Sequence, residues 1–407
     1  MPFFDQVQLA PPDNMYELKL KADPDRHPDK VDLGVGIYRN EHGAYHELQV
    51  VRQAKEHLAA ENPDHDYEVT TGNADFVRLA ARLVFGKDSA VLTASKTTTV
   101  QTISGTGAVH LALLFLSRSV PNMSRAVYVG VPAWGNYKPM CELVGLDFNA
   151  YNHYVPSTGL VDWESVLSAV RSAPRGSIFI LQGCCHNPTA ADFTQDQWVV
   201  LAREMKEHDH FPVFDVAYHG LGKGLDEDIF SVRHFASMGF EALVCQSFSK
   251  NFGLYGERVG ALHAICANDK AARAVHDQLR FLIRSEFSSS PAFGARIVTR
   301  VLSDPGRETA WREEIASLQS RLQLTREKLR HLLCEVHKTP GNWDIITHGT
   351  GLFSLLPLTP EQCRVLQDTY HIYVVPTGRI TIPGLNENNV SYVAKSIDEV
   401  IRASQQS

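Results

Sequence analysis

Lys250 stands in the stretch Gln246-Ser247-Phe248-Ser249-Lys250-Asn251-Phe252-Gly253-Leu254-Tyr255-Gly256-Glu257-Arg258, just past the apolar run Ala242-Leu243-Val244-Cys245. That run reads as a short buried strand, which places the lysine at the strand's mouth. Serines, aromatics and glycines surround it, and Glu257 is its nearest acid along the chain. An ammonium is poorly solvated in such a place, so its pKa falls from about 10.4 towards neutrality and the amine becomes a nucleophile. A nucleophilic amine forms a Schiff base with an aldehyde, and Arg258 and Ser247 are suited to a phosphate on the same molecule. A solvated lysine on a surface loop fits the same residues and stays open at this point.

Other residues invite the same double reading. Ser104-Gly105-Thr106-Gly107-Ala108 leads into a helical pattern, and free N–H groups at a helix start bind phosphate, or else the motif is a plain cap. Trp134 follows the strand Ala126–Gly130, where an aromatic ring either stacks on a planar ligand or fills core. Asn187, in Cys185-His186-Asn187-Pro188-Thr189, offers an amide donor or simply makes an Asn-Pro turn. Asp215 ends a buried strand and calls for a cationic partner, since an unpaired carboxylate there is costly; Tyr218 is three residues on. Arg379 and Arg284 sit in apolar contexts, as carboxylate forks or as structural ion pairs.

Taken together, a phosphate loop, a stacking ring, an amide, a strand-end Asp with Tyr, a lysine and an arginine, in that order, are the parts that hold pyridoxal 5'-phosphate. In that reading Asp215 keeps the ring nitrogen protonated, so that the ring draws electrons, and Lys250 carries the aldehyde as an imine.

The elements that must position these residues alternate. Candidate strands Ala126–Gly130, Ser177–Leu181, Val213–Asp215, Ala242–Gln246 and Gly260–Ile265 are interleaved with helical patterns at Ala108–Ser117, Trp163–Arg171, Asp196–His208 and Asp269–Arg284. This predicts an α/β fold with a mainly parallel sheet covered on both faces, and ligands bound beyond the strands' carboxyl ends. Residues 1–30 read as an extended arm, and the glycine-broken strand containing Gly36 lets backbone approach a ligand closely. A long amphipathic helix from Asp304 to about Val336 leads to a smaller α+β unit. The 407 residues carry a net charge of −7 with no basic excess, which argues against nucleic acid or an anionic membrane as the main partner. No apolar run reaches spanning length and no signal peptide is evident, so the expected location is the cytoplasm. The seven scattered cysteines include no CxxC and read as reduced core thiols, with no metal site expected.

From about Pro12 to Val400 the chain resembles the class I aminotransferases of fold type I, most closely the aspartate and aromatic aminotransferases, and Ser247-Phe248-Ser249-Lys250-Asn251-Phe252-Gly253-Leu254-Tyr255-Gly256-Glu257-Arg258-Val259-Gly260 carries that resemblance. The resemblance implies that Lys250 is the Schiff-base lysine and proton shuttle. It likewise implies Asp215 as pyridinium partner, Tyr218 and Asn187 as ligands of the ring oxygen, and Ser104, Gly105, Thr106, Ser247 and Arg258 as the phosphate cup. Trp134 becomes the ring-stacking residue and Arg379 the arginine for the substrate α-carboxylate, with Gly36, Trp134 and Asn187 beside the substrate. It further implies a homodimer with shared sites, in which Tyr67 reaches the neighbouring phosphate and Arg284 a distal substrate carboxylate. The implied division is 1–45 as arm and part of the small domain, 46–320 as large cofactor domain and 321–407 as small domain.

Several positions depart from the family pattern. Gln182 replaces a His expected beside the strand-end Asp, Ala190 a glycine, and Tyr137 a His. Tyr16, Glu17 and the run Ser285-Glu286-Phe287-Ser288-Ser289-Ser290-Pro291 also differ. The expected activity is amino transfer between aspartate or glutamate and a 2-oxo acid. The alternatives are a specialised-pathway enzyme for an aromatic, sulfur-containing or unusual amino acid, with Glu286 turned onto Arg284, or one catalysing β-elimination or decarboxylation. A pseudoenzyme is the remaining class.

Overall fold

Five buried apolar runs and two more polar ones pair into a single seven-stranded sheet. The computed structural model describes residues 2–405, and the strands of this sheet are β1 (Thr97–Ile103), β2 (Ala126–Val131), β3 (Asp147–Asn152), β4 (Ile178–Gln182), β5 (Phe211–Val216), β6 (Ala242–Ser247) and β7 (Val259–Ile265). Their order is β1-β7-β6-β5-β4-β2-β3. β7 runs antiparallel to both neighbours and all other pairs are parallel. Every residue of β6 and β7 is buried, as continuous apolar runs in a doubly covered sheet must be. β1 and β3 are the strands that the sequence reading missed. Both lie at the sheet's edges, where one flank is open and residues such as Thr97, Thr99, Asn149 and Asn152 are tolerated.

Helices cover both faces. Ser104–Ser119 and Asp269–Glu286 pack Val109, Leu113, Leu279 and Ile283 against one. Trp163–Ser172, Gln195–Glu207 and Phe230–Ser237 pack Val166, Leu201 and Phe235 against the other. The long helix Pro305–His331 begins on the cap of Asp304 with proline in its first turn, ends in a π-helical turn Leu332–Val336, and buries Trp311, Ile315, Leu318, Leu322 and Leu329 along one side. This is the amphipathic stripe that the sequence predicts.

The N-terminal segment differs from the extended arm expected of it. Asp13 caps a helix over Asn14–Ala22, which buries Leu18 and Ala22. Before it, Phe3, Phe4, Val7 and Leu9 are each at least 72% exposed; Met1 lies outside the described residues. Val31–Asp32 pairs in parallel with Ile372–Tyr373, and Asp25 accepts hydrogen bonds from the Tyr373 hydroxyl at 2.7 Å and pairs with His371 at 2.9 Å. Near the C-terminus, Phe353–Leu355 and Arg379–Thr381 form a short antiparallel pair. Among the described residues, no helix is long and apolar enough to cross a membrane.

Candidate active site

Parallel register places Gln182 opposite Asp215 and Val216 opposite Gln246, so the carboxyl ends of β4, β5 and β6 form one ledge. The start of the helix Ser104–Ser119 faces it, because Gly260 in β7 lets the Ser104 backbone approach. A Cβ on Gly260 would lie 2.4 Å from the Ser104 carbonyl carbon. Between ledge and helix start lies a cavity of about 280 Å³, lined by Ser104, Gly105, Thr106, Trp134, Asn187, Asp215, Tyr218, Ser247, Lys250 and Arg258, with Gly36 entering from the N-terminal segment. All eleven of these were expected from the sequence. It is also lined by Gln182, Ala217, Ser249 and Tyr255, which were not. Tyr255 stands inside the lysine motif and accepts the Tyr38 N–H at 2.9 Å. The sequence signal was present in its position, but its fold-back partner was not visible.

At one end of the cavity, Arg258 donates to the Ser104 hydroxyl oxygen at 2.5 Å and to the Tyr255 carbonyl at 2.6 Å. Both acceptors are neutral, so its charge remains for an anion. Thr106 N–H and the Ser104 Oγ meet at 3.3 Å in the helix's first turn, where the dipole adds to that preference.

The other end holds Asp215, whose Oδ2 accepts the Tyr137 hydroxyl at 2.6 Å. Burial pushes the Asp215 carboxyl up, while the Tyr137 hydroxyl and the Lys250 ammonium hold it down. Tyr137 itself is held well above its ordinary value, by burial first and then by the Asp215 charge. Asp215 thus has a single hydroxyl donor, and among the described residues no cation is bonded to it. Trp134 meets Tyr137 edge to face with ring centres 5.3 Å apart.

Lys250 lies between these ends, its Nζ 4.8 Å from the centre of the Tyr218 ring. Burial brings its pKa down to about 8; Asp215 opposes that shift and Arg258 reinforces it. About a tenth of the amine is therefore neutral and nucleophilic at pH 7, against well under a thousandth for an ordinary lysine.

Arg379 closes the site from the C-terminal side. It donates to the Asn187 Oδ1 at 3.2 Å and the Gly34 carbonyl at 2.8 Å, touches the Met15 Sδ at 3.1 Å, and lies over the Phe353 ring at 4.4 Å. These partners are neutral too, and its Nε has none.

The altered network expected at position 182 is present, and the pairing of Glu286 with Arg284 is not. Gln182 does not serve Asp215: its amide donates to the Asn187 carbonyl at 3.0 Å and accepts the Asn187 N–H at 2.8 Å, bracing the turn that carries Asn187. The hydroxyl of Tyr137 takes the place at Asp215. Glu286 does not turn onto Arg284 but pairs with His110 at 3.1 Å. Within one chain, Tyr67 and Arg284 do not reach the cavity: Tyr67 is 88% exposed beside Ser289 and Phe293 in a separate groove, and the exposed Arg284 bonds to Ser288. Ala190 adopts the left-handed backbone, φ +59°, that a glycine would take freely. Cys184, Cys185 and Asp228 converge, but both Asp228 oxygens already accept N–H groups, from Gly220, Gly222 and Lys223.

The cavity therefore suits a flat molecule with an anion at one end, a protonated ring nitrogen at the other and an aldehyde between. Pyridoxal phosphate meets these demands: Arg258 and Asp215 supply the two complementary charges, and Lys250 the amine.

The profile of the family described as Aminotransferase class I and II matches residues 28–397. The chain is 45% identical over 401 residues to "Aminotransferase tasG" of Hapsidospora irregularis, covering 98% of this chain and 97% of that one. It is 39% identical over 412 residues to the cytoplasmic aspartate aminotransferase of Saccharomyces cerevisiae, covering 98% and 97%. The solved structure of the Saccharomyces cerevisiae cytoplasmic aspartate aminotransferase superposes with a TM-score of 0.95 at 38% identity, over 98% of this chain and 99% of that one. An aromatic-amino-acid aminotransferase from Burkholderia pseudomallei, covalently bound to pyridoxal phosphate, superposes with a TM-score of 0.95 at 34% identity, over 98% and 100%. A lysine nucleophile, an anion cup and a strand-end aspartate in one cavity agree with these matches along nearly the whole chain, which belongs to the class I and II aminotransferases.

Proposed function

We propose that this aminotransferase uses pyridoxal phosphate to move an amino group between a dicarboxylic amino acid, aspartate or glutamate, and a 2-oxo acid, 2-oxoglutarate or oxaloacetate. The observation that carries the reading is the amine of Lys250, lowered to about 8, in one cavity with Asp215 and Arg258 and next to Arg379, which bonds only to neutral acceptors. When bound, the cofactor supplies an electron sink for the bond broken at the substrate α-carbon. Lys250 Nζ would take the proton from that carbon and hold it for return. Asp215 would hold the ring nitrogen protonated, Tyr218 and Asn187 would donate to the ring oxygen, and Trp134 would cover the ring. Ser104, Gly105, Thr106, Ser247 and Arg258 hold the phosphate. Arg379 takes the α-carboxylate with two parallel N–H donors, and Gly36 leaves room for the substrate.

The active unit in this reading is a homodimer, with Tyr67 and Arg284 completing the partner's site. Exposed Phe3, Phe4, Val7 and Leu9 support an arm laid on a second copy, since apolar side chains that exposed call for a cover. Residues 1–45 group with 321–407 as arm and small domain, supported by the pairing of Val31–Asp32 with Ile372–Tyr373, and 46–320 form the large domain. The cytoplasm is the proposed location, on the strength of relatives named cytoplasmic from Saccharomyces cerevisiae, Dictyostelium discoideum and Oryza sativa; other relatives are named mitochondrial.

A second reading changes only the donor. Met15 at the Arg379 guanidinium places an apolar thioether where the substrate enters, which favours an aromatic or sulfur-containing side chain. The test is turnover of aspartate, phenylalanine and cysteine sulfinate with 2-oxoglutarate, alongside the cofactor absorbance of Lys250→Ala. Aspartate as best donor by more than tenfold supports the first reading, and phenylalanine or cysteine sulfinate as best supports the second. An unchanged imine absorbance in Lys250→Ala overturns both.

A further inference from the structure

A second cavity, of about 260 Å³, opens where the helix Pro305–His331 passes the loop Leu221-Gly222-Lys223 and the segment Thr347–Gly351. Its wall contains Arg326, only 3% exposed. The guanidinium donates to the carbonyls of Ile346 at 2.8 Å, Thr350 at 3.1 Å, Gly351 at 3.0 Å and Phe353, while its Nε has no acceptor. Burial lowers its pKa to about 10, so it is a cation at neutral pH, and all its bonded partners are neutral. A buried charge without a bonded counter-ion is costly. Asp192 acts on the guanidinium through its charge without bonding to it, its oxygens being engaged by the N–H groups of Cys185 and His186 and by the Thr350 hydroxyl. Lys223 adds a second cation to the lining, and Glu327, the one acid there, accepts from Gln323. Two cations thus face one exposed carboxylate, with the amides of Gln319 and Gln323 and the apolar Leu221 and Leu322 between them.

We infer that this cavity is a binding site for a small organic carboxylate anion, separate from the Lys250 cavity and able to act on it. An anion offsets the Arg326 charge, and the two leucines favour an organic ion over inorganic phosphate. Its occupant would touch two segments that lead to the active site. Leu221 N–H bonds the Tyr218 carbonyl at 3.0 Å, and Gly351 leads to Phe353, whose ring meets Tyr218 at 5.7 Å and underlies Arg379.

Citrate, which has neither amine nor oxo group to exchange, is the probe. Calorimetry on the holoenzyme should show one saturable citrate site per chain, with inorganic phosphate binding at least tenfold more weakly. The double variant Lys223→Glu, Gln323→Glu should weaken citrate at least tenfold and leave kcat/KM without citrate unchanged. In the native enzyme citrate should change kcat twofold or more at constant KM for the amino donor. The inference is overturned by absence of binding, by binding that the double variant does not weaken, by phosphate binding as tightly as citrate, or by citrate competing purely with the amino donor. Because calorimetry needs no turnover, these outcomes stay separate from the identity of the donor.

Discussion

The Lys250 amine pays a desolvation cost in the cofactor-free protein, and that cost has a pH signature. Its pKa is about 8 in the fold against an ordinary 10.5. Between those values the unfolded chain binds more protons than the folded one, so stability rises with pH across the window and the penalty is gone above it. Lys250→Met should therefore stabilise the cofactor-free protein by roughly 3 kcal/mol at pH 7, a gain that disappears by about pH 10.5. Urea denaturation at both pH values measures it; an equal gain at both would show that packing, not charge, is responsible. At Asp215, the Tyr137 hydroxyl performs the service that the family pattern gives to a His at position 182, where this chain has Gln. A hydroxyl donor at 2.6 Å to an ionised carboxylate contributes about 1.5 to 3 kcal/mol, which stabilises the charged form that a pyridinium needs.

Elements meet at the active site through close backbone contact, and Gly260 is where that contact is tightest. It pairs with Ser247 on one side and Thr102 on the other. Its missing Cβ would stand 2.4 and 2.5 Å from Ser104 carbonyl atoms and 2.8 Å from the Gln246 carbonyl oxygen. All three are backbone atoms and cannot rotate aside. Gly260→Val should cost about 3 kcal/mol by forcing the helix start from the sheet, and should weaken phosphate binding at the Arg258 cup. The denaturation midpoint and the dissociation constant of the cofactor check this; a loss of stability with the cup's affinity intact would show that the helix start does not depend on this contact. Gln182 does a similar service for a turn: with two hydrogen bonds to the Asn187 backbone, it holds the amide that accepts from Arg379 and lines the cavity.

At the scale of the whole molecule, the cavity of one chain contains Lys250, Asp215 and Arg258 but neither Tyr67 nor Arg284. Sites shared across a homodimer predict complementation between two defective chains. In the proposed homodimer, Lys250→Ala would disable a chain's own site and Arg284→Ala the partner's. In a hybrid dimer one site carries both lesions and the other neither. Refolding the two variants together in equal amounts should thus recover about a quarter of the native activity with aspartate, half the sites of the half of dimers that are hybrid. Recovery no greater than the sum of the separate variants would mean that Arg284 acts within its own chain or not at all.

The amino-acid sequence by itself determined the α/β order, the central strands, the long helix from Asp304, and eleven of the residues that line the Lys250 cavity. It could do so because buried strands are written as continuous apolar runs, and because ligand-binding residues of this fold follow directly at the strands' carboxyl ends. Edge strands Thr97–Ile103 and Asp147–Asn152 escaped for the converse reason, since a half-open strand need not be apolar. Only the tertiary structure decided who bonds to whom. Tyr137 rather than Gln182 serves Asp215, Glu286 turns to His110, and Arg326 lies buried among carbonyls more than 19 positions along the chain. Such partners are chosen by distance after folding, and a linear sequence carries residue types and spacings but not the contacts between its distant parts.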